Sequence, residues 1–148
     1  MEQIKFKIDL GIITHDGVVE HPFVNISVNG YPKFGEILKK DKIIEFDVEI
    51  EENTKNSLTV EYTNKDPKTD VVFDGGDIIK DKRVEIKSLT MNDIELDFFA
   101  FDTEDTLSYK SFDGKENHTG FQASKLSWNG CTTFTFTTPI YIWILENI

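Results

Sequence analysis

Residues 42–53 read KIIEFDVEIEEN, and the strict alternation of this stretch decides the fold class. Every second side chain is apolar, namely those of Ile44, Phe46, Val48 and Ile50. The side chains between them are acidic, namely those of Glu45, Asp47, Glu49 and Glu51. Because successive side chains of a β-strand point to opposite faces, this pattern predicts a strand with one face in the core and the other in water.

The same period of two recurs along most of the chain. Further strands are predicted at QIKFKIDL (3–10), FVNISVNG (23–30), NSLTVEYTN (56–64), RVEIKSLTM (83–91), DIELDFFAF (93–101) and CTTFTFTT (131–138). The segment YPKFGEIL (31–38) after the turn signal Asn29-Gly30 fits a loop or a short strand. Strands that are apolar on one face pack in layers, so the sequence predicts an all-β protein. We expect an antiparallel, jelly-roll-like β-sandwich that forms a single domain over residues 1–148.

Composition limits the classes of partner. The chain has 148 residues and a formal net charge of −11, from 27 acidic and 16 basic residues. That balance disfavours nucleic acid, whose phosphates require a basic surface, and it disfavours anionic membranes. The alternating N-terminus is unlike the apolar block of a signal peptide, and no stretch reaches the ~20 apolar residues of a membrane helix.

The sequence carries no catalytic motif. There is no G-x-S-x-G around a serine and no phosphate-binding loop, and the three histidines, His15, His21 and His118, lie far apart without metal-ligand spacing. Acidic residues abound, so a hydrolase with paired carboxylates remains an alternative, but abundance is no signal for one. We therefore predict that the protein is not an enzyme.

An acidic stretch, residues 64–82, is one of two long segments without a clear pattern. It contains Asn64, Asp66, Asp70, Asp74, Asp77 and Asp81. Calcium binds clustered carboxylate and carbonyl oxygens, often beside a glycine turn such as Gly75-Gly76. A solvated loop that uses Asp and Gly for turns explains the same residues. Both interpretations, a calcium site and a solvated loop, stay open. The protein is not expected to require a cofactor, and calcium is the cofactor that these residues permit.

Aromatic residues mark the second long segment, residues 101–130. Tyr109, Phe112, Phe121 and Trp128 stand there among polar residues. Such side chains stack on sugar rings, anchor protein interfaces, or fold back over the edge of a core. All three interpretations are open, and these four residues are candidate contacts to a ligand or a partner.

The chain ends on PIYIWILENI, residues 139–148, whose only charge is Glu146. As a strand it would be apolar on both faces, with Tyr141 and Trp143 on one of them, and would need a second partner layer. A short helix fits this run equally well. Tyr141 and Trp143 complete the set of candidate contact residues.

Two segments resemble structural proteins of tailed phages, especially marine and cyanobacterial ones. The first is SLTVEYTNKDPKTD with GGDIIKDKRVEIKSLTMNDIEL, within residues 57–96, and the second runs from WNG to PIYIWILENI, residues 128–148. The resemblance implies a non-catalytic virion component: a capsid decoration, a tail or fibre part, or a host-glycan adhesin. Other virion proteins and copies of the chain itself would then be its partners.

The central stretch also resembles small calcium-dependent xylan-binding modules. In those modules a strand ends at Thr-Asn-Asp, and the acidic loop after it holds calcium and sugar hydroxyls. Thr63-Asn64 match this pattern, whereas Lys65 stands in place of the acidic ligand. Our leading prediction is a virion structural protein, made in the host cytoplasm, that acts through protein contacts. The alternative is a carbohydrate-binding module, with or without calcium, that recognises a polysaccharide.

Overall fold

The computed structural model describes residues 1–147, and strands make up most of it. Its thirteen strands are β1 (Glu2–Ile13), β2 (Phe23–Val28), β3 (Tyr31–Ile37), β4 (Lys42–Ile50), β5 (Lys55–Tyr62), β6 (Val72–Asp74), β7 (Asp77–Lys80), β8 (Arg83–Met91), β9 (Ile94–Glu95), β10 (Leu107–Ser111), β11 (Asn117–Thr119), β12 (Lys125–Leu126) and β13 (Gly130–Thr137). The helices are α1 (Pro67–Asp70), a 3-10 helix (Gly120–Ser124) and α2 (Ile140–Asn147).

Two antiparallel sheets form the body of the protein. The first has the strand order β12-β8-β1-β4, with β9 paired to β8, and the second has the order β11-β10-β13-β5-β2-β3. The rings of Phe6 on β1 and Phe136 on β13 meet between the sheets, with their centres 5.9 Å apart. The predicted antiparallel β-sandwich is thereby confirmed.

The apolar face of each predicted strand supplies the core. On β1, the four side chains that the alternation points inward are fully buried: Ile4, Phe6, Ile8 and Leu10. They pair with the inward residues of the stretch 42–53, as in Ile4↔Val48 and Ile8↔Ile44. Phe46 is the exception, because it is only half-buried and packs against the edge of the core. A register shift of one residue would turn all of these side chains to water, so the hydrophobic pattern sets the pairing.

A β-bulge interrupts the pairing of β1 with β8. Asp9 pairs with Ser88 and Leu10 pairs with Ile86, so Lys87 has no partner on β1. The extra residue explains why Val84 and Ile86 are buried at even positions whereas Leu89 and Met91 are buried at odd ones. A bulge re-aims the side chain that it releases. Lys87 is exposed on the outer side of the sheet as a result.

The two long segments expected to be irregular contain short elements. Residues 64–82 form α1 and the hairpin β6–β7, whose turn residues Gly75 and Gly76 have φ angles of +61° and +90°. Residues 101–130 contain β10, β11, β12 and the 3-10 helix. The expectation was wrong because strands of two to five residues are too short to show a period in the sequence.

The C-terminal segment forms α2, the second of the two structures its sequence allowed. Ile140, Trp143 and Ile144 are buried on one side of this helix, at the spacing of a helical face. Tyr141, Ile142 and Leu145 are exposed on the other side. The helix therefore buries one apolar face against the core and leaves a second apolar face exposed. Among residues 1–147, no helix has the length and apolar character to cross a membrane.

Candidate functional site

A groove of about 330 Å³ opens beside the bulge of β8. Its walls are formed by Lys87, Glu95, Leu96, Asp97, Phe98, Phe99 and Phe121. These residues come from β8, from the segment after β9 and from the 3-10 helix. The groove combines a flat aromatic wall with charged side chains, which is the usual chemistry of a site for a small polar ligand.

Phe99 is held outward by its neighbours. Leu96, Phe98 and Phe101 are all buried and fix the segment to the core, whereas Phe99 is 71% exposed. Asp97 shapes the turn between them, because its Oδ1 accepts a hydrogen bond from the Phe99 backbone N–H at 3.0 Å. The exposure of Phe99 is thus set by the turn, which turns this residue outward while Phe98 and Phe101 on either side point inward.

Phe121 is positioned by the 3-10 helix. The helix starts at Gly120, whose φ of +62° is a conformation that residues with a side chain rarely adopt. The Ser124 hydroxyl donates to the Phe121 carbonyl at 2.6 Å and closes the turn. Buried Ala123 anchors the helix to the core.

The two phenylalanine rings form a stacked platform whose exposed ring is that of Phe99. Phe99 and Phe121 are stacked, with ring centres 4.5 Å apart and an angle of 8° between their planes. The ammonium of Lys125 lies 4.9 Å from the centre of the Phe121 ring, a cation–π distance. Phe121 is therefore supported within the protein, and Phe99 presents its ring to solvent.

Charged side chains border the platform. Glu95 and Asp97 are exposed carboxylates, which accept hydrogen bonds. Lys87 donates to Asp41 at 2.6 Å. That hydrogen bond raises the pKa of Lys87 and holds the pKa of Asp41 below its usual value, so both groups stay charged at neutral pH. A ligand in the groove meets acceptors and a donor at the rim of an apolar surface.

Two of the predicted contact residues lie in the core instead of on the surface. Tyr109 is fully buried, and its hydroxyl donates to the Trp128 carbonyl at 2.7 Å. Trp143 is 6% exposed and stacks on Phe101. Their prediction as contacts was wrong because both are large apolar side chains on inward faces, one of β10 and one of α2.

The other four predicted aromatic contacts lie at different places on the protein. Phe121 lines the groove, Phe112 is 59% exposed in the turn between β10 and β11, and Tyr141 is 53% exposed on α2. Trp128 is half-buried, with the ammonium of Lys65 5.7 Å from the centre of its ring. The structure does not bring these four side chains together in one site.

Sequence reasoning missed Phe99, which lies in the predicted strand DIELDFFAF. Only Ile94–Glu95 of that stretch is a strand. The adjacent pair Phe98-Phe99 held the signal, because two neighbouring large side chains do not both face one core. The partner that stacks on Phe99 stands 22 positions later, at Phe121, and no local pattern relates the two.

The six candidate metal ligands do not form a cation site. Asp70 and Asp81 are ion-paired with Lys82 and Lys65, while Asp74 and Asp77 lie opposite each other at the exposed tip of the hairpin β6–β7. Asp66 caps α1 through the Lys68 backbone N–H, and the Asn64 side chain bonds to the backbone of Phe23 and His21. Within residues 1–147, no three acidic, histidine or cysteine side chains gather at metal-binding distance. The residues of this loop do not fit a calcium ion.

No protein-family model matches the chain, and no curated protein sequence matches it significantly. Among solved structures, the chain is similar to the carbohydrate-binding module vCBM60 in complex with galactobiose, with 11% sequence identity and a TM-score of 0.51. The likeness covers 88% of this chain and 96% of that one. It shows a shared β-sandwich fold.

A selenomethionine form of vCBM60 is similar at 12% identity and a TM-score of 0.48, covering 88% of this chain and 89% of that one. The description of that structure states that circular permutation provides an evolutionary link between two families of calcium-dependent carbohydrate-binding modules. At this score the likeness is too weak to bear on function.

Proposed function

We propose that this protein is a non-catalytic carbohydrate-binding module, and that the groove at Phe99 and Phe121 is its binding site. One observation carries the proposal: a phenylalanine that is 71% exposed is stacked on a second ring at 4.5 Å and bordered by carboxylates and a lysine. A stacked aromatic pair that leaves one ring exposed offers a flat apolar surface on which a ligand can pack.

The chemistry of a sugar ring suits this platform. One side of a pyranose presents C–H groups, which pack on the flat face of an aromatic ring, while the hydroxyls point outward around the ring. Glu95 and Asp97 accept hydrogen bonds from such hydroxyls, and Lys87 donates them. The ligand expected is neutral, because the protein carries a net charge of −11 and an anionic polysaccharide would be repelled.

The groove lacks the features of a hydrolase site. Its two carboxylates, Glu95 and Asp97, are both exposed. The acid of a glycoside hydrolase is held in an apolar pocket that keeps it protonated. Binding without cleavage is the activity that this arrangement supports.

The shared fold supports carbohydrate binding over the leading sequence-based prediction. The similar structure vCBM60 is a carbohydrate-binding module solved with galactobiose, which makes galactobiose and galactan the first ligands to test. Assembly into a phage particle, through virion proteins or copies of the chain, stays a prediction that rests on residues 57–96 and 128–148. The two roles are compatible, because a virion protein can bind a host glycan.

The test is affinity electrophoresis of the purified protein in gels that contain galactan, xylan or another neutral polysaccharide. We expect at least one polysaccharide to retard the wild type, and we expect Phe99→Ala and Phe121→Ala to abolish the retardation. Phe112→Ala is the matched control, since it removes an equally large exposed ring outside the groove. Retardation that survives Phe99→Ala, or is lost with Phe112→Ala, would contradict the proposed site. Release of reducing sugar from the polysaccharide would contradict a non-catalytic role.

A further inference from the structure

We infer that two buried lysine ammonium groups, those of Lys65 and Lys82, hold the acidic segment 64–82 together in place of a bound cation, so that the fold is independent of calcium. Each ammonium is surrounded by the carboxylate and carbonyl oxygens that a hard cation would take as ligands. The inference stands apart from the proposed function, because the cluster does not include the residues of the groove.

Lys82 is the more deeply buried of the two. Its side chain is 1% exposed, and its Nζ lies 3.2 Å from Oδ2 of Asp70, whose side chain is 2% exposed. The same Nζ donates to the Asn64 carbonyl at 2.8 Å and lies 5.9 Å from the centre of the Tyr62 ring. A lysine is almost never found so deeply buried without partners, and these oxygens and the ring supply them.

Lys65 repeats the arrangement on the other side of the segment. Its side chain is 3% exposed, and its Nζ lies 2.5 Å from Oδ1 of Asp81 and donates to the Ser127 carbonyl at 2.5 Å. Oδ1 of Asp81 also accepts the backbone N–H of Lys82 at 2.8 Å. The two ion pairs are therefore linked, and together they connect the end of β5, α1 and the start of β8.

The carboxylate oxygens have little capacity left for a metal. Oδ2 of Asp70 accepts the backbone N–H of Asp66 at 2.6 Å in addition to the Lys82 ammonium. Oδ1 of Asp70 accepts the Thr69 hydroxyl at 3.2 Å. A divalent cation at either carboxylate would lie beside a buried ammonium, and like charges in a buried site repel strongly. The lysines therefore exclude calcium from the oxygens that they hold.

Thermal unfolding of the full chain tests the inference without any sugar. We expect the wild-type Tm to be the same in millimolar calcium as in excess chelator. Lys65→Met and Lys82→Met should each lower the Tm, because each leaves a carboxylate without its cation, whereas Lys115→Met, at an exposed lysine in the turn after β10, should not. A wild-type Tm that rises with calcium would overturn the inference, and so would Met variants that melt with the wild type.

A second measurement applies even where a Met variant fails to fold. Terbium binds calcium sites and emits when an indole lies nearby, and Trp128 contacts Lys65 at the centre of the cluster. We expect no sensitised emission on titrating the wild type with terbium. Saturable emission that calcium competes away would show a metal site in the segment and overturn the inference. The Tm and terbium measurements need no sugar. They can therefore contradict this inference while carbohydrate binding is confirmed, and carbohydrate binding can be contradicted while this inference is confirmed.

Discussion

The indole ring of Trp143 lies parallel to the phenyl ring of Phe101, with ring centres 5.2 Å apart and an angle of 7° between the planes. Trp143 also meets Phe134 edge-on at 5.3 Å. These contacts dock α2 on the core. Ile140, Trp143 and Ile144 form the inner face of this helix, and that face adds to the core.

Trp143→Ala should destabilise the protein strongly. Removing a buried aromatic side chain typically costs about 3–5 kcal/mol through lost burial and the cavity left behind. Tyr141→Ala, on the exposed face of the same helix, should change the free energy of unfolding by no more than about 0.5 kcal/mol. Urea unfolding of both variants measures the difference. Equal losses in the two variants would mean that α2 does not dock through Trp143.

Glu2→Ala should weaken the start of α2. Both carboxylate oxygens of Glu2 accept the backbone N–H of Ile140, at 3.1 and 3.0 Å, and a negative charge stabilises the N-terminus of a helix. We expect a loss of about 1 kcal/mol in urea unfolding. Glu2→Gln keeps an acceptor and should lose less, and Glu45→Ala, at an exposed position of β4, is the control. If Glu2→Gln were as unstable as Glu2→Ala, the whole loss of stability would come from the negative charge of Glu2 and none from its hydrogen bonds.

Gly120→Ala should disturb the groove through the backbone. A left-handed φ costs a residue with a side chain about 1–2 kcal/mol, and a Cβ at this position would lie 2.9 Å from the Cβ of Asp102. Gly114→Ala shares the positive φ, at +75°, but its Cβ meets nothing within 4 Å. The stability difference between the variants, from urea unfolding, therefore isolates the contact with Asp102. We expect Gly120→Ala to be the less stable variant, and also to bind the polysaccharide less well because Phe121 follows directly.

Stability should fall at alkaline pH. Burial raises the pKa of Tyr62 far above its usual value, with the charges of Asp70 and Asp81 adding to the shift, and burial also raises the pKa of Tyr109. A group whose pKa is raised by folding contributes its full stability below its unfolded pKa, about 10 for tyrosine, and loses it as the pH rises further. Each tyrosine that stays neutral in the folded state should cost about 1.4 kcal/mol per pH unit above that point.

Urea midpoints between neutral and alkaline pH, together with tyrosinate absorbance, check this dependence. Tyr62→Phe should flatten the alkaline decline, although it also removes the hydrogen bond from the Tyr62 hydroxyl to the Lys82 carbonyl. Tyr31→Phe is the control, because Tyr31 is 72% exposed. An alkaline decline that is unchanged in Tyr62→Phe would show that other groups are responsible.

Much of the fold could be predicted from the sequence because each strand reports its own orientation. The inward faces of β1, β2, β4, β5 and β13 follow from their alternation, because burial repeats at every second residue of a strand. Several apolar residues in each strand therefore indicate the same face. The prediction failed at DIELDFFAF, where the strand ends after Glu95 although apolar and polar residues alternate as far as Phe98. It also failed for β10–β12, which are too short to show a period.

The candidate site was only partly predictable. Phe121 was identified as a contact residue, yet Tyr109 and Trp143 were predicted beside it although they lie in the core. An aromatic residue is a candidate for the core and also for a binding surface, and its residue type alone does not distinguish the two. The acidic segment presented the same difficulty, because the aspartates look like metal ligands until Lys65 and Lys82 are seen to reach them.

The sequence by itself determined the two-layered β architecture, the inward faces of the long strands and the acidic surface, since these depend on the spacing of apolar and charged residues along the chain. The tertiary structure decided which aromatic rings reach solvent, that Phe99 stacks on Phe121, and that two lysines lie among the aspartates of residues 64–82. Those features depend on contacts between residues far apart in sequence, and packing alone brings such residues together.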